Sequence, residues 1–314
     1  MADNMYVVSS SPHVRSKDSV NRTMLDVLIA LSPAALFSIF YFGFDAALTI
    51  AICIGASVFA EWVYEKITKE KSTIGDFSAV VTGLLLAMNM PGNMPIKYLW
   101  WLSILGSFFA IIIVKQIFGG LGQNFMNPAL GARAFLLISF AGIMTTWGPT
   151  IDGISTATPL GILKEGVGEL PSIMSSFIGT IPGSLGETSA IALLIGGLYL
   201  LYRKVISWRI PVIYISTTAI MVLFFTGFDV SLRGYHLFSG GLMLGAIFMA
   251  TDYASSPTTA KGQIIMGVGC GLLTALIRIF GGYPEGVSFA ILIMNLFVPL
   301  IDKYTVPTKF GEVK

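Results

Sequence analysis

Leu84–Pro95 reads "LLLAMNMPGNMP" and Gly245–Pro257 reads "GAIFMATDYASSP". Each closes a short apolar run, at about 77–90 and about 238–251, and neither run reaches the roughly 20 apolar residues a helix needs to cross a bilayer. Longer runs of about that length surround them, at about 24–43, 45–64, 98–118, 129–146, 188–202, 210–226, 262–280 and 286–302. Together they make ten spans. Hydrophobic residues are 54% of the 314 and charged residues only 11%, with a mean hydropathy of +0.79. That is more apolar surface than a soluble domain can hide. The runs lack the alternation of barrel strands, and backbone groups in lipid must bond within their own segment, so the expectation is an all-α integral membrane protein. The first run follows a polar, basic arm, is too long for a signal-peptide core and ends without a small-residue cleavage site. It is read as a retained helix.

The two short stretches correspond to each other, and other matches follow outward from them. "IFGG" at Ile117–Gly120 recurs at Ile279–Gly282, each time just after a basic residue, Lys115 or Arg278. "DAALTIAICIGASVFAEWVYEKI" from Asp45 resembles "ETSAIALLIGGLYLLYRKVI" from Glu187. Five spans per half is an odd number, so the second half enters from the opposite side and the repeats are inverted. Proteins built this way often hold a site where the halves meet, with short or Gly/Pro-interrupted helices pointing into it. The expected organisation is an N-terminal arm at 1–23, a first five-helix repeat at 24–146, a loop at 147–187, a second repeat at 188–303 and a tail at 304–314.

Basic residues set the orientation. With the N-terminus inside, the inner segments carry Arg15, Lys17, Arg22, Lys66, Lys69, Lys71, Lys115, Arg203, Lys204, Arg209, Lys261 and the Lys residues near the C-terminus, while the outer loops carry only Lys97, Lys164 and Arg233. This is the positive-inside pattern. Both termini are then cytoplasmic, and the loop at 147–187 faces outward. Cys53 and Cys270 stand alone in separate apolar runs, which excludes a disulfide framework and supplies no metal-ligand cluster.

The outward loop spends four hydroxyl or carboxyl side chains between Asp152 and Thr158, in "DGISTAT". Thr158 precedes Pro159, which suits the N-cap and first position of a short helix running to about Leu163. A helix N-terminus also favours phosphate. The stretch resembles the acceptor sequence, roughly D-G-x-S/T-G-A-T, on which a flavin transferase esterifies FMN to the final Thr in the RnfD/NqrB family of membrane subunits from bacterial ion-pumping redox complexes. The likeness extends over "SSSPHVRSKDSVNRTMLDVLIALSPA" (Ser9–Ala34), "GGLGQNFMNPALGARAF" (Gly119–Phe135) and the ten-span repeat, and the short N-terminal arm favours the RnfD side of the family. It implies covalent FMN on Thr158, with Asp152, Ser155, Thr156 and Ala157 as recognition or positioning groups. Thr156 stands where the family pattern more often has Gly, and is a rival acceptor. The resemblance also implies a second, noncovalent flavin such as riboflavin, electron transfer between ferredoxin and NAD coupled to Na+ or H+ movement across the bacterial cytoplasmic membrane, and other Rnf membrane and peripheral subunits as partners. No nucleic acid is implied. A Thr hydroxyl is a poor nucleophile without a base, and the loop offers no His or Cys, so a separate transferase must attach the flavin.

Asn124, Asn127 and Arg133 in the Gly-rich segment are candidate flavin contacts. Arg133 lies inside a span, where a lone cation is costly: it serves a site, or else snorkels or pairs with a carboxylate. Among the acids, Asp26 and Asp76 near helix starts are read as caps or dipole partners, and Asp252 as the candidate for an ion path. The rival reading is a small-solute channel, because the inverted five-span repeat resembles that of urea transporters; a plain channel, however, has no need of the acceptor loop.

Overall fold

The computed structural model describes residues 19–69, 71–147, 157–166, 168–187, 189–283 and 285–307. Among these the chain is helical, with no β-strand and one isolated bridge between Pro91 and Ser184. Asp152, Ser155 and Thr156 lie outside the described residues. Five helices are long and apolar enough to cross a membrane: α1 (Val20–Phe42), α2 (Phe44–Thr68), α4 (Ile96–Phe108) with its continuation to Gln116, α13 (Ala260–Phe280) and α14 (Val287–Thr305). Four shorter apolar helices accompany them: α3 (Ser78–Met88), α5 (Pro128–Ser139), α9 (Ala190–Tyr202) and α10 (Arg209–Phe225). A short turn, α6 (Ala141–Met144), follows α5.

The two stretches that open the sequence reading become half-length helices. α3 starts where Asp76 Oδ1 accepts from the Ser78 N–H at 2.7 Å and from its hydroxyl at 2.5 Å, the cap that the sequence suggested. It stops at Met88, ahead of Pro91 and Pro95, neither of which can extend a helix. α12 (Leu242–Leu244) runs on as a π-helical turn, Gly245–Met249, closed by Ala250 N–H donating to the Gly245 carbonyl at 2.7 Å. The far ends of α3 and this turn meet in the centre, with Asn89 Nδ2 3.7 Å from Met249 Sδ. The Leu185–Glu187 turn passes between them. A Cβ on Gly186 would lie 2.8 Å from the Met88 carbonyl oxygen and 2.6 Å from Leu244, so only glycine fits that gap.

In the first half α2 packs on α3 and α4; in the second half α10 packs on α13, and α13 on α14. The halves join chiefly where α1 lies along α9. Their backbones touch: a Cβ on Gly196 would fall 2.1 Å from the Ala30 carbonyl oxygen. Asp26 is not the cap that its position suggested. Its carboxylate accepts from Arg203 Nη2 at 3.0 Å and Nε at 3.2 Å and from the Tyr199 hydroxyl at 2.8 Å, tying α1 to the end of α9. An acid at a helix start can satisfy either its own backbone or a neighbour's guanidinium, and here the close approach of α9 decides for the neighbour.

Three short helices stand outside the long ones: α7 (Pro159–Glu165), α8 (Ile173–Ile178) and α11 (Val230–Phe238). α7 and α8 both pack on α11. Across the length of α13, about 30 Å at 1.5 Å per residue, the molecule has two ends. One carries Lys115, Arg203 and Asp252; the other carries α7, Arg278 and Glu285.

Candidate functional site

At the first end a cavity of about 750 Å³, partly open to solvent, lies between the halves. Its lining includes Thr23, Thr82, Lys115, Asn124, Asn127 and Asp252, with Leu85, Val205, Phe248 and Tyr253. Three residues singled out from sequence, Asn124, Asn127 and Asp252, therefore share one chamber. Asn127 is the N-cap of α5, accepting from the Ala129 and Leu130 N–H groups at 3.0 and 3.2 Å, while its own amide donates to the Met249 carbonyl at 3.4 Å. The Asn124 amide donates to the Met126 carbonyl at 3.0 Å. Asp252 sits in the turn after the π-helical segment, where Ser255 donates to it at 3.0 Å. Burial pushes its carboxyl above the usual range, against the pull of the Ser255 hydroxyl and the Asn124 amide.

In the wall of this chamber lies an ion pair whose two members sequence reasoning did not join. α4 continues as a π-helical turn, Phe109–Gln116, and Lys115 within it is 2% exposed. Its ammonium donates to Glu61 Oε1 and to the Ser78 hydroxyl, both at 2.6 Å. The same Glu61 oxygen accepts from Gln116 Nε2 at 2.7 Å and Thr73 Oγ1 at 3.1 Å.

At the second end Arg133, 1% exposed, donates from Nη2 to Glu285 Oε2 at 2.9 Å, which is the carboxylate pairing weighed for it. It does not join Asn124 and Asn127. α5 carries it away from its own N-cap toward the other end. Arg278, equally enclosed, donates Nε to the Glu285 carbonyl at 2.8 Å, Nη2 to the Ser239 and Gly240 carbonyls at 3.2 and 3.1 Å, and Nη1 to the His236 carbonyl. It thereby ties down the turn that links α11 to α12. Burial first, then Arg278, pushes the His236 imidazole down to about 4, so it adds no positive charge. Glu187, in the loop just ahead of α9, is pushed up to about 8 by burial and by Glu285, with Arg133 opposing. The sequence did carry one signal for these buried cations: Arg278 directly precedes the repeated "IFGG", and Lys115 precedes it with only Gln116 between.

Thr158 is the N-cap of α7, with Pro159 at the first helical position and its hydroxyl oxygen accepting from the Gly161 N–H at 3.2 Å. The helix ends two residues later than expected, at Glu165, where Gly166 turns left-handed at φ +68°. Thr158 is only 5% exposed. Leu160 and Arg278 both crowd Gly240, where a Cβ would lie 2.3 Å from Leu160 and 2.8 Å from Arg278, and Lys164 donates to the Gly281 carbonyl. The residue after Thr156, Ala157, is described, but makes no polar side-chain contact of its own because it has no polar atom. α7 is thus seated over the ion-paired end.

A family model described as the NQR2, RnfD, RnfE family matches residues 7–311. Three relatives are each named as the D component of an ion-translocating redox complex. The chain is 54% identical over 312 residues to that of the Na(+)-translocating ferredoxin:NAD(+) oxidoreductase complex of Acetobacterium woodii, covering 98% of this chain and 96% of the relative. It is 48% identical to that of the proton-translocating ferredoxin:NAD(+) oxidoreductase complex of Clostridium ljungdahlii, covering 98% and 97%. It is 37% identical to that of the ion-translocating oxidoreductase complex of Salmonella arizonae, covering 99% of each. On residues matched, identity and coverage alike, the chain belongs to the NQR2, RnfD, RnfE family.

Proposed function

We propose that this chain is the flavin-carrying membrane subunit of an Rnf-type complex, passing electrons between ferredoxin and NAD while the complex moves Na+ or H+ across the bacterial cytoplasmic membrane. The observation that carries the reading is the near full-length likeness to proteins named as one component of such complexes. Two relatives of similar identity are named for different ions, so the likeness supports the class of reaction without choosing the ion. Other Rnf membrane and peripheral subunits are the partners, with lipid around the long helices. The small-solute channel of urea-transporter-like fold is the weaker reading, since family membership and the acceptor stretch both speak against it.

In the proposed arrangement ten spans form two inverted five-helix repeats, with both termini cytoplasmic and the α7 end outside. The central meeting of two half-length helices supports this, as does the match of packing partners between α2 and α10. That match puts α2 opposite α10 and α1 opposite α9, one helix away from the likeness seen between the Asp45 and Glu187 stretches.

Thr158 carries FMN through a phosphoester in this reading. The residues fit. An ester keeps the bridging oxygen able to accept from Gly161, and the phosphate charge falls at the start of a helix. Because Thr158 is enclosed by its neighbours, the transferase reaches it before α7 seats on α11. Asp152, Ser155 and Thr156 would serve recognition by that enzyme. A second flavin such as riboflavin would fit the cavity at the other end, where Asn124, Asn127 and Asp252 offer donors and acceptors to its polar edge and Leu85 and Phe248 an apolar wall. The flavins supply the electron chemistry, and the protein holds and orients them.

Peptide mass spectrometry of the protein from its native host tests this, beside a Thr158→Ala variant. The expected result is FMN mass on the Thr158 peptide and none in the variant. An unmodified peptide in a host that has the transferase would sink the covalent assignment, and liposome uptake of small neutral solutes would then become the next assay.

A further inference from the structure

The described cations fall into two groups. Lys115, Arg133 and Arg203 are ion-paired, Arg278 is bound by backbone carbonyls, and Lys164 and Arg209 donate to Gly281 and Gln263. The end of α2 is different. Lys66, Lys69 and Lys71 gather there, all exposed, and among the described residues no carboxylate pairs with any of them. Glu70 offsets one of the three charges in sequence and leaves the stretch positive. Lys69 is the C-cap of α2 and is left-handed at φ +60°, its N–H donating to the Glu65 carbonyl. Glycine takes that conformation without strain, so a lysine is kept there at a cost.

Below the amines lies an apolar shelf on the outside of the bundle. Phe59 and Trp62 are both exposed and stack at 5.9 Å, and Lys66 Nζ sits 4.7 Å over the Trp62 ring. Phe59 also lies 6.2 Å from Phe108 at the end of α4, and Ile113 and Ile117 carry the exposed apolar surface on along the π-helical turn and its C-cap. From Phe59 to Lys69 the helix rises about 15 Å at 1.5 Å per residue. In a membrane protein an exposed apolar face meets acyl chains, and tryptophan with lysine marks the headgroup level. The order along α2, phenyl ring, indole, then three amines, is the order of an acyl chain, a glycerol ester and a phosphate.

We propose that this end of α2 binds one anionic glycerophospholipid, of the phosphatidylglycerol kind, with its phosphate between Lys66, Lys69 and Lys71 and an acyl chain along Trp62, Phe59 and Ile113. Charge complementarity selects the occupant: a zwitterionic headgroup brings its own cation to the three amines, and a bare anion leaves the aromatic shelf uncovered. A diffuse surface field would answer to the total charge at this end of the molecule. The site depends on where that charge stands and on Trp62.

The test uses the full chain, solubilised in detergent and stripped of lipid, as wild type, Lys66→Gln/Lys69→Gln, Trp62→Ala and the charge-matched Lys261→Gln/Lys303→Gln, whose lysines are exposed at the same end. Native mass spectrometry counts lipid adducts, and thermal unfolding is followed with added phosphatidylglycerol, phosphatidylcholine or inorganic phosphate. The expected result in wild type is one retained phosphatidylglycerol and a rise in melting temperature with that lipid alone. Retention should fall severalfold in Lys66→Gln/Lys69→Gln and in Trp62→Ala, and stay at the wild-type level in Lys261→Gln/Lys303→Gln. Lipid-free melting at the wild-type temperature in the first two variants ties the loss to the site rather than to the fold. Equal loss in the two charge-matched variants, an equal response to phosphatidylcholine, or the same shift from inorganic phosphate would each overturn the site. So would retention unchanged in Lys66→Gln/Lys69→Gln.

Discussion

The two ends of α13 solve the same problem in opposite ways. Near its start, polar groups from both halves line an open chamber: Asn124, Asn127 and Asp252 are held there by uncharged groups, backbone N–H and carbonyl groups and the Ser255 hydroxyl. Near its finish, Arg278 spends its guanidinium on four backbone carbonyls, and Arg133 and Glu285 pair with each other. Buried charge costs so much in lipid that it is tolerated only where it is paired or satisfied. The first end satisfies its charge in the chamber wall, where Lys115 pairs with the buried Glu61, and leaves the space beside it free. The second uses charge as the fastener.

The comparison predicts a graded series. The largest effect is expected from Arg278→Met, which strands four carbonyls at a cost of about 1–3 kcal/mol each where they stay dry. The variant should fail to accumulate in membranes, as read by immunoblot against an unrelated membrane protein; normal yield and unchanged melting would break the claim that this end is fastened by Arg278. Next comes Lys115→Met, which leaves Glu61 buried without its cation and should cost about 3–5 kcal/mol. Adding Glu61→Gln should restore most of the loss in thermal unfolding of the detergent-solubilised chain. A double variant no better than the single would show that the pair is not the unit.

The smallest effect concerns Glu187. Its folded-state value is raised above that of an ordinary carboxyl, so the folded chain keeps a proton that the unfolded chain releases. Stability is then complete at low pH and falls as pH rises from the ordinary carboxylate range to about 8. Glu187→Gln should flatten the melting temperature between about pH 6 and 8. Parallel curves for wild type and variant would remove Glu187 from the account.

Much of this is legible in the residues. Apolar run length gives the helical membrane class, and Gly/Pro breaks mark α3 and the π-helical turn as the short elements. Thr158–Pro159 announces the N-cap of α7, and Asp76 the start of α3 one residue ahead of its N-cap Phe77, because such bonds are local chemistry. Partners distant in sequence are not legible. Lys115 meets Glu61 across 54 residues and Arg133 meets Glu285 across 152, and nothing in either neighbourhood names the other. Asp26 misleads for the same reason: its local setting resembles a cap, but its partner lies 177 residues on.

That last separation has a consequence in time. A ribosome adding roughly 5–20 residues per second makes Arg203 about 9–35 s after Asp26, given the 177 residues between them. Through that interval α1 sits in the membrane with its small-residue face, Ala30 and Ala34, and its carboxylate waiting for α9. The first half therefore emerges as an incomplete object. It acquires its closest backbone neighbour and the counter-ion for its acid only when the second half arrives, so chains stalled before about residue 203 are natural targets for membrane quality control.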